Sequence, residues 1–155
     1  MEKRITWLIQ FEIKATNELI TLLKEMENMV YKKEYVGDFR GLKVYQKALA
    51  FQKAIYGVVK KFPDFERYNM VNQLHRAVSS IPANIAEGNG NYYFKQEFDR
   101  LNTALGSLAE IRSFLDMALS EGYLTLQEYE NLEKDAEEIL RLLIGMMRRI
   151  DQITG

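Results

Sequence analysis

The sequence has no cysteine, a single histidine (His75), only two prolines and no long uncharged apolar run. Each shortage closes off a class of chemistry. Without cysteine there is no disulfide and no thiolate metal site, which agrees with a reducing cytoplasm. One histidine, with no glutamate three residues before it, cannot supply the two Glu-x-x-His pairs of a di-iron carboxylate site. The apolar residues of the N-terminus are interrupted by Glu12, Lys14 and Glu18, so neither a signal peptide nor a membrane span fits. Excess charge is missing too: 21 basic against 22 acidic residues give a formal charge of −1, and no global field draws the chain to nucleic acid or anionic lipid. Phosphate loops, zinc spacings and dinucleotide fingerprints are absent, since Gly88 and Gly90 lack the preceding strand such loops need. Period-two alternation is absent as well, so strands are not expected.

What remains is helical. At 155 residues and 47% hydrophobic content the chain can bury the core of one domain. Ile5, Leu8, Ala15, Leu19, Leu22, Met26 and Met29 follow a three-four alternation broken by Glu12, which predicts one long amphipathic helix over 3 to about 32. Trp7, Ile9, Phe11 and Ile13 fall off that stripe, so the first turns are apolar around most of their circumference and need burial on more than one side. The partner is the chain's own bundle, a copy in another subunit or a separate protein. Gly37 and Gly41 flank a linker, dividing the chain into an N-terminal helix and linker (1–37) and a bundle domain (38–155).

Within the second region Val44, Ala48, Phe51, Ile55, Val58 and Phe62 mark a helix that stops at Phe62-Pro63. Asp64 is placed to cap a second helix running from about Phe65 to Glu87, with Gly88-Asn89-Gly90-Asn91 as its stop. Phe98, Leu101, Leu105, Leu108, Leu115 and Leu119 mark a third, ended by Gly122. Thr125 and Glu128 form a capping box before the most regular heptad of the chain, Tyr129 to Ile153. Short connections force antiparallel neighbours. The expected fold is therefore all-α: an antiparallel up-down-up-down four-helix bundle with an additional N-terminal amphipathic helix.

The densest signal lies in Gln73 to Gly90. Leu74, Ala77, Val78, Ile81, Ile85 and Gly88 form a core stripe, and Gln73, Arg76, Ser80, Asn84, Glu87 and Asn91 run beside it as a wholly polar one. That second stripe is either a solvated face or a hydrogen-bonded seam against another helix or subunit, where Ser and Asn would be odd choices on helix propensity alone. Pro82 removes a donor and crowds the carbonyl of Val78 at a cost of about 3 kcal/mol. A kinked but continuous helix is expected, with Ser79 and Ser80 bonding carbonyls that lose their partner; the alternative is a break with Pro82 opening a new helix. Counted from the turn near Asn89, Arg76 comes within about one helical turn of Glu110, which predicts an ion pair across the hairpin. His75 and Ser79 sit one turn apart, but nothing beside them points to a carboxylate or an oxyanion donor, and no catalytic residue, metal ligand or cofactor is assigned.

SIPANIAEG, preceded by QLHRAV and followed by FDRLNTALGSLAEI, resembles the signature of the bacterial four-helix bundle proteins encoded in 23S ribosomal RNA intervening sequences. LKVYQKA at 42–48, FP at 62–63, ALGSLAE at 104–110 and EGYL at 121–124 match the same pattern, over about Phe39 to Ile150. The resemblance implies a ring-forming homo-oligomer, a pentamer, and an RNA-linked context. A distant relative is the accessory protein of diversity-generating retroelements, which binds a reverse transcriptase and RNA, so RNA or a nucleic-acid enzyme is the implied partner. Met1 to Gly37 has no counterpart in the short family members, and His75 stands where the pattern has arginine.

Charge is uneven along the chain. From Asp38 to Lys61 six basic residues, Arg40, Lys43, Lys47, Lys53, Lys60 and Lys61, stand against one acidic. Between 121 and 138 seven acidic residues stand against Lys134. The basic set, interleaved with Tyr45 and Tyr56, is the candidate nucleic-acid surface, since cations among aromatics hold phosphate and stack bases. The alternative is a solvated face whose charges meet the acidic helix of a neighbouring subunit. Either way the expectation is a soluble, cytoplasmic, non-enzymatic binding or scaffold module with no membrane contact.

Overall fold

The chain's apolar periodicities are realised in a computed structural model as five α-helices joined by short turns. It describes residues 2–30 and 32–154, apart from the side chains of 2–5, 7 and 27–30, so the places expected for Ile5, Trp7 and Met29 lie outside the described residues. The helices are α1 (Glu2–Val30), α2 (Lys43–Val58), α3 (Met70–Gly90), α4 (Phe94–Ser120) and α5 (Leu126–Thr154). Among the described residues extended pairing is limited to a single bridge between Lys32 and Tyr93.

One core is shared by α2 to α5, with Phe51, Ile55, Leu74, Ile85, Leu108 and Leu143 wholly enclosed. On α2 the buried row continues through a 3-10 turn at Val59–Lys61, and the change of pitch buries Val59 and Phe62 while leaving Val58 half-buried. On α4 the buried row is Leu101, Ala104, Leu108, Ile111, Leu115 and Ala118, so Leu105 stands at the edge of the core where the leucine count had put it inside.

Two helix ends depart from expectation. α3 begins at Met70, because Asp64–Glu66 forms a 3-10 turn of its own, and the carboxylate that accepts from the Met70 N–H is that of buried Glu66, at 3.3 Å, not that of Asp64. At the other end α3 runs through Gly88 to Gly90. Pro82 lies inside it, buried, and the helix is continuous. The serines do not bond freed carbonyls as expected; both hydroxyls bond side chains from neighbouring helices.

The last two helices are punctuated as the sequence suggests. Gly122, at φ +74, ends α4 in a Schellman arrangement, with Tyr123 N–H on the Ala118 carbonyl at 2.8 Å and Gly122 N–H on Leu119 at 3.0 Å. Thr125 and Glu128 cap α5 reciprocally: the Glu128 carboxylate accepts from Thr125 N–H at 2.9 Å, and Thr125 Oγ1 accepts from Glu128 N–H at 3.3 Å.

Of the three partners open to α1, its own bundle does not cover the described side chains. These side chains add nothing to the core, and those from Leu8 to Met26 are all exposed. The core is built by α2 to α5 and the turns between them.

Candidate functional site

Three residues of the α3 polar stripe, Ser80, Asn84 and Glu87, bond within the chain, while Arg76 is exposed. Ser80 Oγ accepts from Ser107 Oγ at 2.8 Å and from Asn84 Nδ2 at 3.0 Å, and the same amide reaches the Ser80 carbonyl at 2.8 Å. Glu87 meets Arg100 at 3.1 Å. Gly88, on the neighbouring core stripe, sits at the closest approach: a Cβ there would stand 3.2 Å from the Glu97 carbonyl oxygen and 3.1 Å from Arg100 Cβ, so only glycine lets the two backbones approach so closely. Short polar side chains are used because the interhelical gap is narrow and every buried donor needs an acceptor.

Arg76 and Glu110 do not form the expected ion pair. The Ser80–Ser107 and Glu87–Arg100 contacts set a register that puts Arg76 level with Ile111, so the axial estimate was sound. Level is not contact: both side chains are exposed, and the glutamate that does pair across this hairpin is Glu87.

The basic face meets the acidic helix of its own chain. Lys43 and Lys47 both reach Glu138, at 3.3 and 2.8 Å, and Lys61 pairs with Glu128. Arg40 folds back on Asp38 at 3.2 Å. Lys47 holds the Glu138 carboxyl below its usual range, with Lys43 assisting, and Glu138 in turn raises Lys47. Glu128 is pushed down to about 2 by Lys61 first and then by the Thr125 N–H and hydroxyl. Among the described residues Lys53 and Lys60 make no ion pair, so two of the six candidate cations stay uncommitted.

His75 packs its ring against Tyr56, centroids 4.4 Å apart. Ser79 Oγ accepts from Gln52 Nε2 at 3.1 Å and shares a 3.0 Å hydrogen bond with the Tyr56 hydroxyl, which is lowered by Ser79 and then Gln52. The two residues are therefore engaged with α2 and not with each other. Among the described residues no group of three or more His, Asp or Glu is placed to hold a metal ion, and no helix is long and apolar enough to cross a membrane.

Sequence reasoning missed Lys33. It read residues up to 37 as linker, yet Lys33 is 6% exposed, its ammonium 2.9 Å from Glu97 Oε2 and within 3.1 Å of the Gly88 and Asn89 carbonyls. Its N–H donates to the Tyr92 carbonyl at 2.9 Å. A lysine in a polar stretch carries no periodic signal. The one available hint was Glu97, a charged residue on the apolar side of α4.

Comparison with known proteins agrees with this organisation. The 23S rRNA-intervening sequence protein family matches residues 40–145. The chain belongs to that family. A crystal structure of a protein of unknown function from the S23 ribosomal protein family of Bacteroides thetaiotaomicron is similar at 29% identity and a TM-score of 0.63, covering 68% of this chain and 95% of that one. No curated protein matches the sequence. The family region takes in α2 to α4 and most of α5 and leaves α1 outside.

Proposed function

We propose that the protein is a non-enzymatic, self-associating scaffold, an antiparallel up-down-up-down four-helix bundle that presents α1 for assembly. Opposed numbering across the α3–α4 and α4–α5 interfaces supports the antiparallel order: Ser80 and Glu87 meet Ser107 and Arg100, and Arg112 and Tyr129 meet Glu133 and Asp116. The observation that carries the scaffold reading is α1 itself. Leu19, Leu22, Leu23 and Met26 are each more than half exposed, while the body builds its core from α2 to α5 and bonds Ser80, Asn84 and Glu87 within the chain. Apolar surface of that extent marks an interaction site. The polar stripe, which by itself had suggested another subunit, no longer argues for one.

Family resemblance adds a ring of five subunits, an RNA-linked setting in the cytoplasm, and RNA or a nucleic-acid enzyme such as a reverse transcriptase as the partner. The side-chain arrangement favours assembly over direct RNA contact through the basic face. A phosphate there would have to displace Glu138 and Glu128 from Lys43, Lys47 and Lys61. Light scattering of the purified chain, with and without structured RNA at two salt concentrations, tests both. A mass of several subunits supports the scaffold, and a monomer throughout the micromolar range overturns it. Binding that falls steeply with salt and is lost in a Lys53→Glu/Lys60→Glu variant would restore the RNA-contact reading.

A further inference from the structure

Eight described side chains give α1 its apolar face: Leu8, Ile9, Ile13, Leu19, Ile20, Leu22, Leu23 and Met26, each 44% exposed or more. At 100° per residue they span an arc of about 180°, with Gln10, Lys14, Asn17, Glu18, Thr21 and Glu25 opposite. A helix of this kind owes its stability to packing of that arc, since propensity alone leaves isolated helices marginal in water. Three occupants are possible, and the charges and surfaces separate them.

A lipid surface fits poorly. Interfacial helices rely on lysine and arginine flanking the apolar face, whereas residues 2–30 carry Lys3, Arg4, Lys14 and Lys24 against Glu2, Glu12, Glu18, Glu25 and Glu27. The body of the chain fits no better. Among the described residues its exposed large hydrophobics, such as Leu49, Tyr56, Phe65, Tyr68, Met117 and Leu126, come one or two to an element and not as a helix-long row. The surface that matches α1 in length and character is another α1.

We infer that α1 pairs with α1 of a second copy, antiparallel, through its apolar arc. This rests on the self-associating reading above and names a two-fold contact, which joins chains or whole rings in pairs and does not itself close a ring of five. Glu12 fixes the direction because it sits in the middle of the arc. Parallel helices in register would set Glu12 against Glu12, a like-charge contact in a partly desolvated seam. Antiparallel helices centred on Glu18 move the two Glu12 residues about 18 Å apart along the axis and set each level with Lys24 of the other copy, which stands on the flank of the arc, about 110° from its centre. The same register puts Ile13 opposite Leu23 and Thr16 opposite Ile20, and it overlaps about 25 residues, or roughly 37 Å of helix. A wide arc also leaves room for two such pairs to stack into a larger assembly.

The test uses the full chain in four forms: wild type, Leu19→Asp/Leu23→Asp, Glu12→Lys and Glu12→Lys/Lys24→Glu. Mass is read by light scattering across concentration, with a thermal melt to confirm that the body, whose core α1 does not enter, stays folded. Leu19→Asp/Leu23→Asp is expected to drop to a smaller species. Glu12→Lys is expected to weaken association about tenfold, and the charge swap to restore it. If the double-aspartate variant keeps the wild-type mass, the α1 pairing is overturned while self-association stands. If the swap fails to restore what Glu12→Lys loses, the antiparallel register is overturned. A wild type that is monomeric overturns both readings, and one that is monomeric yet sediments with phosphatidylcholine vesicles identifies a membrane as the occupant.

Discussion

Lys33 and Glu97 stand 2.9 Å apart with side chains 6% and 9% exposed, and their contact pins the segment after α1 to the α3–α4 turn. The ammonium is fully used, since the Gly88 and Asn89 carbonyls take its other donors. Removing either partner strands a charge in a dry site, so Glu97→Ala and Lys33→Ala should each cost about 3–5 kcal/mol in urea unfolding. The Lys33→Ala/Glu97→Ala double variant should lose less than the two single losses combined, because it buries no unpaired charge. Strict additivity would mean that the two groups do not depend on each other.

Gly88 makes a second, sharper test of the same corner. A methyl group there meets the Glu97 carbonyl oxygen at 3.2 Å and Glu97 Cα at 3.4 Å, and backbone atoms cannot swing aside. Gly88→Ala should cost about 1–3 kcal/mol. Gly90→Ala, with nothing within 4 Å of the new carbon and a helical backbone, should be neutral or gain up to about 1 kcal/mol. Equal melting temperatures for the two variants would remove the close-approach role of Gly88.

Much of the fold was readable because helix-forming information is local. The heptad of α5, the Thr125–Glu128 box and the Gly122 stop each lie within a few residues of the structure they specify. Contacts between helices were harder. Axial register follows from counting outward from a turn, and it put Arg76 at the right level, but azimuth depends on how α3 and α4 rotate to pack Ala77, Ser80 and Gly88, and that turned Arg76 outward. The basic face shows the same limit in charge. Composition revealed the lysines of α2 and the glutamates of α5, while their neutralising each other within one chain depends on α2 lying beside α5. For α1 the amphipathic pattern was plain, and only its partner was not, since a periodicity says that a face must be covered without saying by what.

The outward turn of Arg76 has a measurable consequence. Arg76→Ala and Glu110→Ala should each fall within about 0.5 kcal/mol of wild type, as substitutions on exposed helix faces do. Ser80→Ala should cost more, about 1–3 kcal/mol, because it takes the shared acceptor from Ser107 and Asn84, and Asn84 is only 8% exposed. Chemical denaturation of the three variants gives the order directly. A loss at Arg76 comparable to that at Ser80 would mean that Arg76 has a buried partner.

Acid should loosen the contact between α2 and α5 in a defined window. The Glu128 carboxyl is lowered from 4.5 to about 2, by Lys61 first and then by Thr125 through its N–H and its hydroxyl. For an acid lowered in the folded state, the unfolded chain takes up its proton first as pH falls. The stabilisation is therefore complete above about 4.5, drains away as pH drops below that value, and is gone once the folded carboxyl itself protonates near 2. Glu138, lowered by Lys47 and Lys43, acts in the same direction. Melting temperature should fall with pH across this interval, and Glu128→Gln should flatten the fall while keeping an acceptor for the Thr125 N–H. Adding Glu138→Gln should flatten it further. High salt should mimic part of the effect near neutral pH, since these pairs are solvent-exposed and screened. A Glu128→Gln variant that retains the full wild-type slope between about 4.5 and 2 would show that Lys61 does not hold this carboxylate in solution.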